Sequence, residues 1–154
     1  MLEDVGMLQT RIKEAMKSAM KAGEKQRLTV IRSMMAGIKQ REIDERISLD
    51  DREIVSVLDK MVKQRRESLK QYRGAGRDDL ADIEEFEIQE IQSFLPAELS
   101  SEEINQIIGE VVNEIGATSI KDMGKVMGSL KSKMHGRADM SKVSAVVKTV
   151  LGEK

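Results

Sequence analysis

The stretch Asp122-Met123-Gly124-Lys125-Val126-Met127-Gly128 decides how the last third of the chain folds. At about 100° per residue, six apolar residues of a helix through it fall on one arc roughly 120° wide, which predicts a core-facing side. They are Ile120, Met123, Val126, Met127, Leu130 and Met134. The opposite arc combines positive charge with two missing side chains, and it consists of Lys121, Gly124, Lys125, Gly128 and Lys131.

The two glycines of this arc need an explanation, since glycine inside a helix costs about 1 kcal/mol relative to alanine. One interpretation is that a phosphate backbone lies against bare helix there while the lysines flank it. The other is that a second helix packs closely on the small residues. The spacing alone leaves both interpretations open.

The same stretch resembles a known family. Asp122 to Met127, the Gly136-Arg137-Ala138-Asp139 turn and a valine-rich helix to Leu151 are similar to the last subdomain of the GatB/YqeY family. Upstream segments resemble the first part of that family, and they are Lys63 to Ser68, Tyr72, Ala75 to Leu80, Phe94 to Pro96, and Leu99-Ser100. The resemblance covers about Leu8 to Leu151 in one order, so the chain looks like a stand-alone YqeY-type protein.

This resemblance implies a function. The family shares its helical module with the tail of the GatB subunit of tRNA-dependent amidotransferase, a carbon–nitrogen ligase with glutamine as amido donor. In that enzyme the tail helps to hold tRNA, while catalysis belongs to domains that have no counterpart here. The resemblance therefore implies a non-catalytic tRNA-binding accessory module of translation.

Composition limits the other possibilities. With 154 residues and 40% apolar content, the chain is long enough for one domain or two small ones. It has no apolar run long enough for a transmembrane helix, and its acidic start does not resemble a secretory signal, so the expected location is the cytoplasm and no membrane partner is expected. It contains no cysteine and one histidine, His135, so neither a metal site nor a cofactor is expected.

The net charge of −1 conceals a segregation along the chain. Residues 1–75 carry 17 Lys/Arg and 12 Asp/Glu, residues 76–114 carry 1 and 12, and residues 115–154 carry 8 and 3. The net charges of the blocks are therefore +5, −11 and +5. Because an acidic block separates two basic ones, the chain does not look like a general polyanion binder.

Helical periodicity runs through the whole chain, and the expected fold class is all-α: an N-terminal helical domain with a long helical hairpin, plus a C-terminal three-helix bundle. The second helix should present Leu28, Ile31, Met35 and Ile38 as its stripe. In the fourth, Asp78-Asp79 should cap the start, and Leu80, Ile83, Ile88, Ile91 and Leu95 should face inward. Pro96 should end that helix, Ser100 and Glu103 should form a capping box, and Gly116 should end the fifth helix. The predicted domains are residues 1–95 and 96–154.

The arms of the predicted hairpin have opposite charges. One carries Lys60, Lys63, Arg65, Arg66, Lys70 and Arg73, and the other carries Asp82, Glu84, Glu85, Glu87 and Glu90. Ion pairs across the hairpin are the simpler interpretation, and a catalytic carboxylate pair is the less favoured one.

No nucleophile with its base and no phosphate-binding loop is recognisable, so no catalytic residue is assigned. The predicted tRNA-binding residues are Lys121, Gly124, Lys125, Gly128, Lys131, Lys133, Arg137 and Lys142. The partner would be tRNA or another structured RNA. The alternative is a helical protein–protein adaptor with no RNA role, since amphipathic helices rich in methionine can equally dock a partner protein.

Overall fold

The computed structural model describes residues 7–152, and within this range it contains seven α-helices, one 3-10 turn and no β-strand. The predicted all-α fold class is confirmed. None of the described helices is both long and apolar enough to cross a membrane. The helices are α1 Met7–Ala22, α2 Lys25–Glu45, α3 Asp51–Gly74, α4 Asp78–Gln92, α5 Ser101–Ile115, α6 Met123–Lys133 and α7 Met140–Gly152, with the 3-10 turn at Ile120–Asp122.

The chain divides into two compact units, one ending at Pro96 and the other beginning at Ala97. Each has a separate hydrophobic core. Whether the two units fold independently, as the predicted domains 1–95 and 96–154 require, stays a prediction.

In the first unit, α2 contacts α1, α3 and α4. Its side chains Val30, Ile31, Met34 and Ile38 are buried, whereas Leu28 and Met35 are only partly covered. The predicted stripe was therefore incomplete, because neighbours on three sides bury a broader face than one periodic stripe describes.

Helices α3 and α4 pack against each other and are joined through residues 75–77. Gly76 allows the tight turn, since its φ of 71° is unfavourable for residues with a Cβ. The predicted ion pairs are present for Arg65, which contacts Glu87 at 2.8 Å, and for Arg73, which contacts Asp82 and Glu85 at 3.0 and 2.9 Å. These contacts support the structural interpretation of the opposite charges.

Two details predicted for α4 are wrong. Ile83 is 45% exposed, because the buried side of the helix passes through Ala81, Ile88 and Ile91, and Ile83 lies about 140° around the helix from Ile88. The residue preceding the helix is Arg77, and Asp78 and Asp79 lie in the first turn instead of capping it. Two carboxylates in a first turn still interact favourably with the helix dipole.

The second unit consists of α5, the 3-10 turn, α6 and α7. The capping box predicted at the start of α5 is confirmed: Ser100 Oγ accepts the Glu103 N–H, and Glu103 Oε1 accepts the Ser100 N–H, both at 3.1 Å. Gly116 ends this helix with a φ of 70°, as predicted. The core of the unit includes Val111, Val126, Leu130, Val143, Val147 and Leu151.

Candidate nucleic-acid interface

Helix α6 begins at Met123 because side chains hold a 3-10 turn directly before it. Ser119 Oγ accepts the Lys121 N–H at 3.3 Å, and Asp122 Oδ2 accepts the N–H groups of Thr118 and Ser119 at 2.9 and 3.3 Å. Ile120 is consequently 46% exposed, so its predicted place on the core arc is wrong. Ile120 belongs to the 3-10 turn and not to α6, so the α-helical spacing used for the prediction does not apply to it.

The rest of the predicted core arc is buried or half-buried. Val126, Leu130 and Met134 are fully buried, and Met123 and Met127 are half-buried against the same cluster. Three buried side chains along this side fix which face of α6 turns outward.

The outward face contains the two helical glycines. Both are exposed, and a Cβ added at Gly124 or Gly128 would have no heavy atom within 4 Å among the described residues. No helix of residues 7–152 therefore packs on these glycines. Of the two interpretations of the pair, close packing of another helix has no partner in the described chain.

Three lysines border the bare part of α6. Lys121, Lys125 and Lys131 are exposed, and within residues 7–152 none of them forms an ion pair. Lys125 lies close enough to Asp122 to contribute to lowering the pKa of that carboxyl, although the larger causes are the N–H groups of Thr118 and Ser119. The exposed face thus combines five of the eight predicted positions.

Two other predicted positions have partners within the second unit. Lys133 Nζ contacts Glu114 Oε2 of α5 at 3.3 Å. Arg137 Nε donates to the Ala97 carbonyl at 3.1 Å, and the Arg137 carbonyl accepts the Leu99 N–H at 2.8 Å. Arg137 therefore links the segment before α5 to the turn after α6 by hydrogen bonds.

The eighth predicted position, Lys142, lies on α7. It is exposed, and within the described range its side chain has no ion pair. Its backbone N–H donates to the Asp139 carbonyl at 3.1 Å, and Asp139 Oδ1 accepts the Ser141 N–H at 3.0 Å, so Asp139 caps this helix. Lys142 therefore belongs to α7 and not to the set of three lysines beside the α6 glycines.

The electrostatics of the second unit differ from what the block charges indicated. Residues 97–154 carry eight Lys/Arg and eight Asp/Glu, so the unit is formally neutral although residues 115–154 have a net charge of +5. Helix α5 contains only acidic charged residues, whereas α6 and α7 contain only basic ones. Among these three helices, positive charge is therefore confined to α6 and α7.

Sequence reasoning missed three residues that define this site. Ser119 and Asp122 stand at capping-box spacing, so the start of α6 could have been read from that signal. Glu114 gave no such signal, because its pairing with Lys133 depends on how α5 and α6 pack. Within residues 7–152 no three histidine, cysteine or acidic side chains are grouped as metal ligands would be.

Fold and exposed face together define an all-α, two-unit protein with a basic, glycine-containing helix face. The family model described as Yqey-like protein matches residues 9–151, and the chain belongs to this family. The resemblance noted in the sequence is thereby confirmed.

Relatives in fungi carry the name "Altered inheritance of mitochondria protein 41, mitochondrial". The protein of Eremothecium gossypii is 37% identical over 110 residues, which cover 70% of this chain and 60% of that protein. The protein of Clavispora lusitaniae is 39% identical over 115 residues, covering 73% and 66%. The protein of Lachancea thermotolerans is 28% identical over 144 residues, covering 88% and 76%. The aligned part thus spans less than two thirds of the first two relatives.

These names correct the expected location. The cytoplasmic prediction is wrong, since the relatives are named as mitochondrial proteins. That prediction depended on the absence of a membrane span and of a secretory signal. Neither feature distinguishes the cytoplasm from the interior of an organelle.

Proposed function

We propose that this protein binds structured RNA through the exposed face of α6, as a non-catalytic accessory module for which tRNA is the first ligand to test. The observation that carries the proposal is the open glycine pair flanked by cations without ion pairs. Gly124 and Gly128 leave the helix backbone bare, and nothing in the described chain occupies the space beside them. A sugar–phosphate backbone can approach such a surface closely.

The charges around the glycines support phosphate as the contacted group. Lys121, Lys125 and Lys131 are exposed and have no ion pair among the described residues, so RNA would not have to displace an internal partner. A lysine bound to carboxylate would lose that contact on binding, as Lys133 would lose Glu114. Three phosphate contacts of this kind make affinity modest and dependent on salt.

Recognition by shape fits the composition of the second unit. Residues 97–154 contain no phenylalanine, tyrosine or tryptophan, so this unit has no aromatic platform on which single-stranded bases could stack. Double-stranded regions present a regular phosphate array that needs no stacking. We therefore expect folded RNA to bind better than an unstructured strand of equal length.

Family membership adds support of a different kind, because the YqeY module resembles the tail of the amidotransferase GatB subunit.

The acidic helix α5 restricts the proposal to one side of the second unit, since its four carboxylates would repel phosphate. Contact should therefore involve α6 and leave α5 in solvent.

The experiment is a tRNA titration at several salt concentrations. Gly124→Leu/Gly128→Leu should abolish close approach without altering the buried side of α6, while Lys125→Ala should reduce the slope of log affinity against log salt by about 1. Gly109→Leu is the matched control, because Gly109 is exposed on α5 and also has open space around it. It should leave tRNA binding unchanged.

Two results would refute this proposal. One is unchanged affinity in the folded Gly124→Leu/Gly128→Leu protein, and the other is absence of tRNA binding by the wild type. Far-UV circular dichroism of each variant shows whether its helices are intact.

An adaptor role is the second candidate, favoured by exposed apolar side chains in the second unit. Ile120 is 46% exposed and Val146 is 36% exposed, and the 3-10 turn that carries Ile120 contacts α7, which carries Val146. A partner protein could cover such residues, whereas phosphates would gain nothing from them. Loss of a co-purifying protein on Ile120→Ser, with RNA binding unaffected, would support the adaptor.

A further inference from the structure

The helical hairpin α1–α2 carries a large excess of positive charge. Residues 7–41 contain nine Lys/Arg and two Asp/Glu, a net charge of +7 over 35 residues. The 40 residues from 115 to 154, which contain the proposed RNA-binding face, reach only +5. Compensating acidic residues follow later in the first unit, so the excess is local.

Three of these cations stabilise the fold. Arg27 contacts Glu90 of α4 at 3.2 Å, and Arg41 contacts Glu53 of α3 at 3.5 Å. Arg11 donates to the Ser93 carbonyl at 3.4 Å and lies over the Phe94 ring. The other six are exposed, and none has an ion pair among residues 7–152. They are Lys13, Lys17, Lys21, Lys25, Arg32 and Lys39.

The lysines of α1 form a regular row. Lys13, Lys17 and Lys21 follow one another at intervals of four residues, so each lies about 6 Å further along the axis on nearly the same side. Like charges at this spacing repel each other and weaken the helix unless an anion lies beside them. Glu14, the acidic residue of α1, has no ion pair with them.

The cations of α2 form a second row with a different spacing. Lys25, Arg32 and Lys39 recur every seven residues, which places them on one side at steps of about 10.5 Å. Thr29 and Ala36 lie between them on that side and are also exposed. Small side chains between cations let an extended anionic chain approach the helix, as the glycines do on α6.

One member of each row lines a groove between the helices. Lys13 of α1 and Lys39 of α2 both line this groove of about 380 Å³, together with Met35 and Ala36. Glu42 lines it as well, but its Oε2 accepts the Leu49 N–H at 3.0 Å and is directed to that contact. A lysine from each helix therefore lines the groove, together with Glu42.

We infer that the α1–α2 hairpin is a second surface for the phosphate backbone of structured RNA. This inference depends on the proposed function for its ligand class, but it concerns different residues in the other unit. Six cations in two rows, none with an ion pair among residues 7–152, match a ligand that presents many phosphates at regular intervals.

An anionic membrane fits this surface less well. Peripheral membrane helices insert an apolar face into the lipid, whereas the apolar faces of α1 and α2 form the core of the first unit. The strongly exposed apolar residues of the hairpin lie at its two opposite ends, with Met20 at one end and Met7 and Ile43 at the other. The surface thus offers charge without a face for insertion.

The test compares two triple variants of the full chain that each remove three positive charges from the first unit. Lys13→Gln/Arg32→Gln/Lys39→Gln changes the hairpin surface. The matched control changes Lys60, Lys63 and Lys70 to glutamine, because these lysines of α3 are also exposed and have no ion pair among the described residues. A tRNA transcript is titrated with each protein over a range of salt concentrations.

The hairpin variant should lower the slope of log affinity against log salt by about 2 to 3, since each lost phosphate contact removes roughly 0.9. The α3 control should change that slope by less than about 1. Equal slopes for the two variants would overturn the inference, because the attraction would then depend on net charge and not on this surface.

The same titrations separate this inference from the proposed function. If Gly124→Leu/Gly128→Leu abolishes binding and the hairpin variant matches its control, the hairpin surface is refuted and the α6 face stands. If only the hairpin variant weakens binding, the α6 face is refuted and the hairpin surface stands. Binding of the wild type to vesicles of phosphatidylcholine and phosphatidylserine but not to tRNA would refute both and indicate a membrane surface.

Discussion

Replacing Gly124 and Gly128 together by alanine should stabilise the second unit. Both glycines lie inside α6 with no positive φ, and a Cβ at either position meets no heavy atom within 4 Å. No steric clash therefore offsets the higher helix propensity of alanine relative to glycine. At about 0.8–1.0 kcal/mol per position, the double variant should gain about 1.5–2 kcal/mol in free energy of unfolding.

Gly109→Ala supplies the matched control for this measurement. Gly109 is exposed inside α5 and is likewise free of neighbours around its missing Cβ. Alanine there should add about 1 kcal/mol for the same reason. Because α5 is acidic and lies outside the proposed interface, this variant should stabilise the protein without any effect on RNA.

The assay is chemical and thermal denaturation of the full chain followed by far-UV circular dichroism. For a domain of this size, each kcal/mol should raise the melting temperature of the second unit by about 4–8 °C. A loss of stability in Gly124→Ala/Gly128→Ala, with the expected gain in Gly109→Ala, would refute the reasoning. It would mean that something packs against the α6 glycines in solution.

Three further predictions concern stability and organisation. Ser100→Ala should lower the free energy of unfolding of the second unit by about 1 kcal/mol in chemical denaturation, whereas Ser101→Ala, outside the capping box, should not. Hydrogen bonds from Thr118 and Ser119 lower the pKa of Asp122, so its carboxylate stabilises the fold above the ordinary aspartate pKa and this contribution disappears as the pH falls through the lowered value. The stability difference between wild type and Asp122→Asn should therefore be full at neutral pH and shrink in acid. Limited proteolysis with a protease of broad specificity should first cut near residues 96–98, before the buried Leu99, and one protected fragment spanning that segment would contradict two independent domains.

Local signals in the sequence predicted both ends of α5 correctly. The capping box of Ser100 and Glu103 involves residues three positions apart, and Gly116 stands where a left-handed residue is required. Such features depend on a few neighbouring residues and on no distant part of the chain. They could therefore be read before any helix was placed in three dimensions.

The buried faces were harder to predict where several helices meet. On α2, Ile31 and Ile38 were assigned correctly, but Val30 and Met34 are buried as well. Val30 and Met34 lie on one side of that stripe, and the exposed Arg32 and Lys39 lie on the other. The positions of α1, α3 and α4 decide how far the buried face extends. On α4 the apolar Ile83 fitted a helical stripe, although no neighbour covers it.

The candidate interface shows the same division between local and distant effects. The exposed arc of Lys121, Gly124 and Lys125 follows from helical periodicity alone. The contact of Lys133 with Glu114 does not follow from periodicity, because Glu114 is 19 residues away in the chain. The basic hairpin α1–α2 was hidden for another reason, since counting residues 1–75 as one block diluted its +7 with later acidic residues.

The choice between arginine and lysine separates residues that hold the fold from those available to a partner. Contacts between helices of the first unit use the guanidinium groups of Arg27, Arg41, Arg65 and Arg73, whereas most exposed cations without ion pairs are lysines. A guanidinium presents several donors in a fixed plane and suits contacts that define helix positions, while an ammonium is a mobile point charge. Replacing an exposed, unpaired lysine should therefore change stability by no more than about 0.5 kcal/mol. Lysine variants of α1, α2 and α6 can consequently report on binding, because loss of affinity in them would not reflect loss of structure.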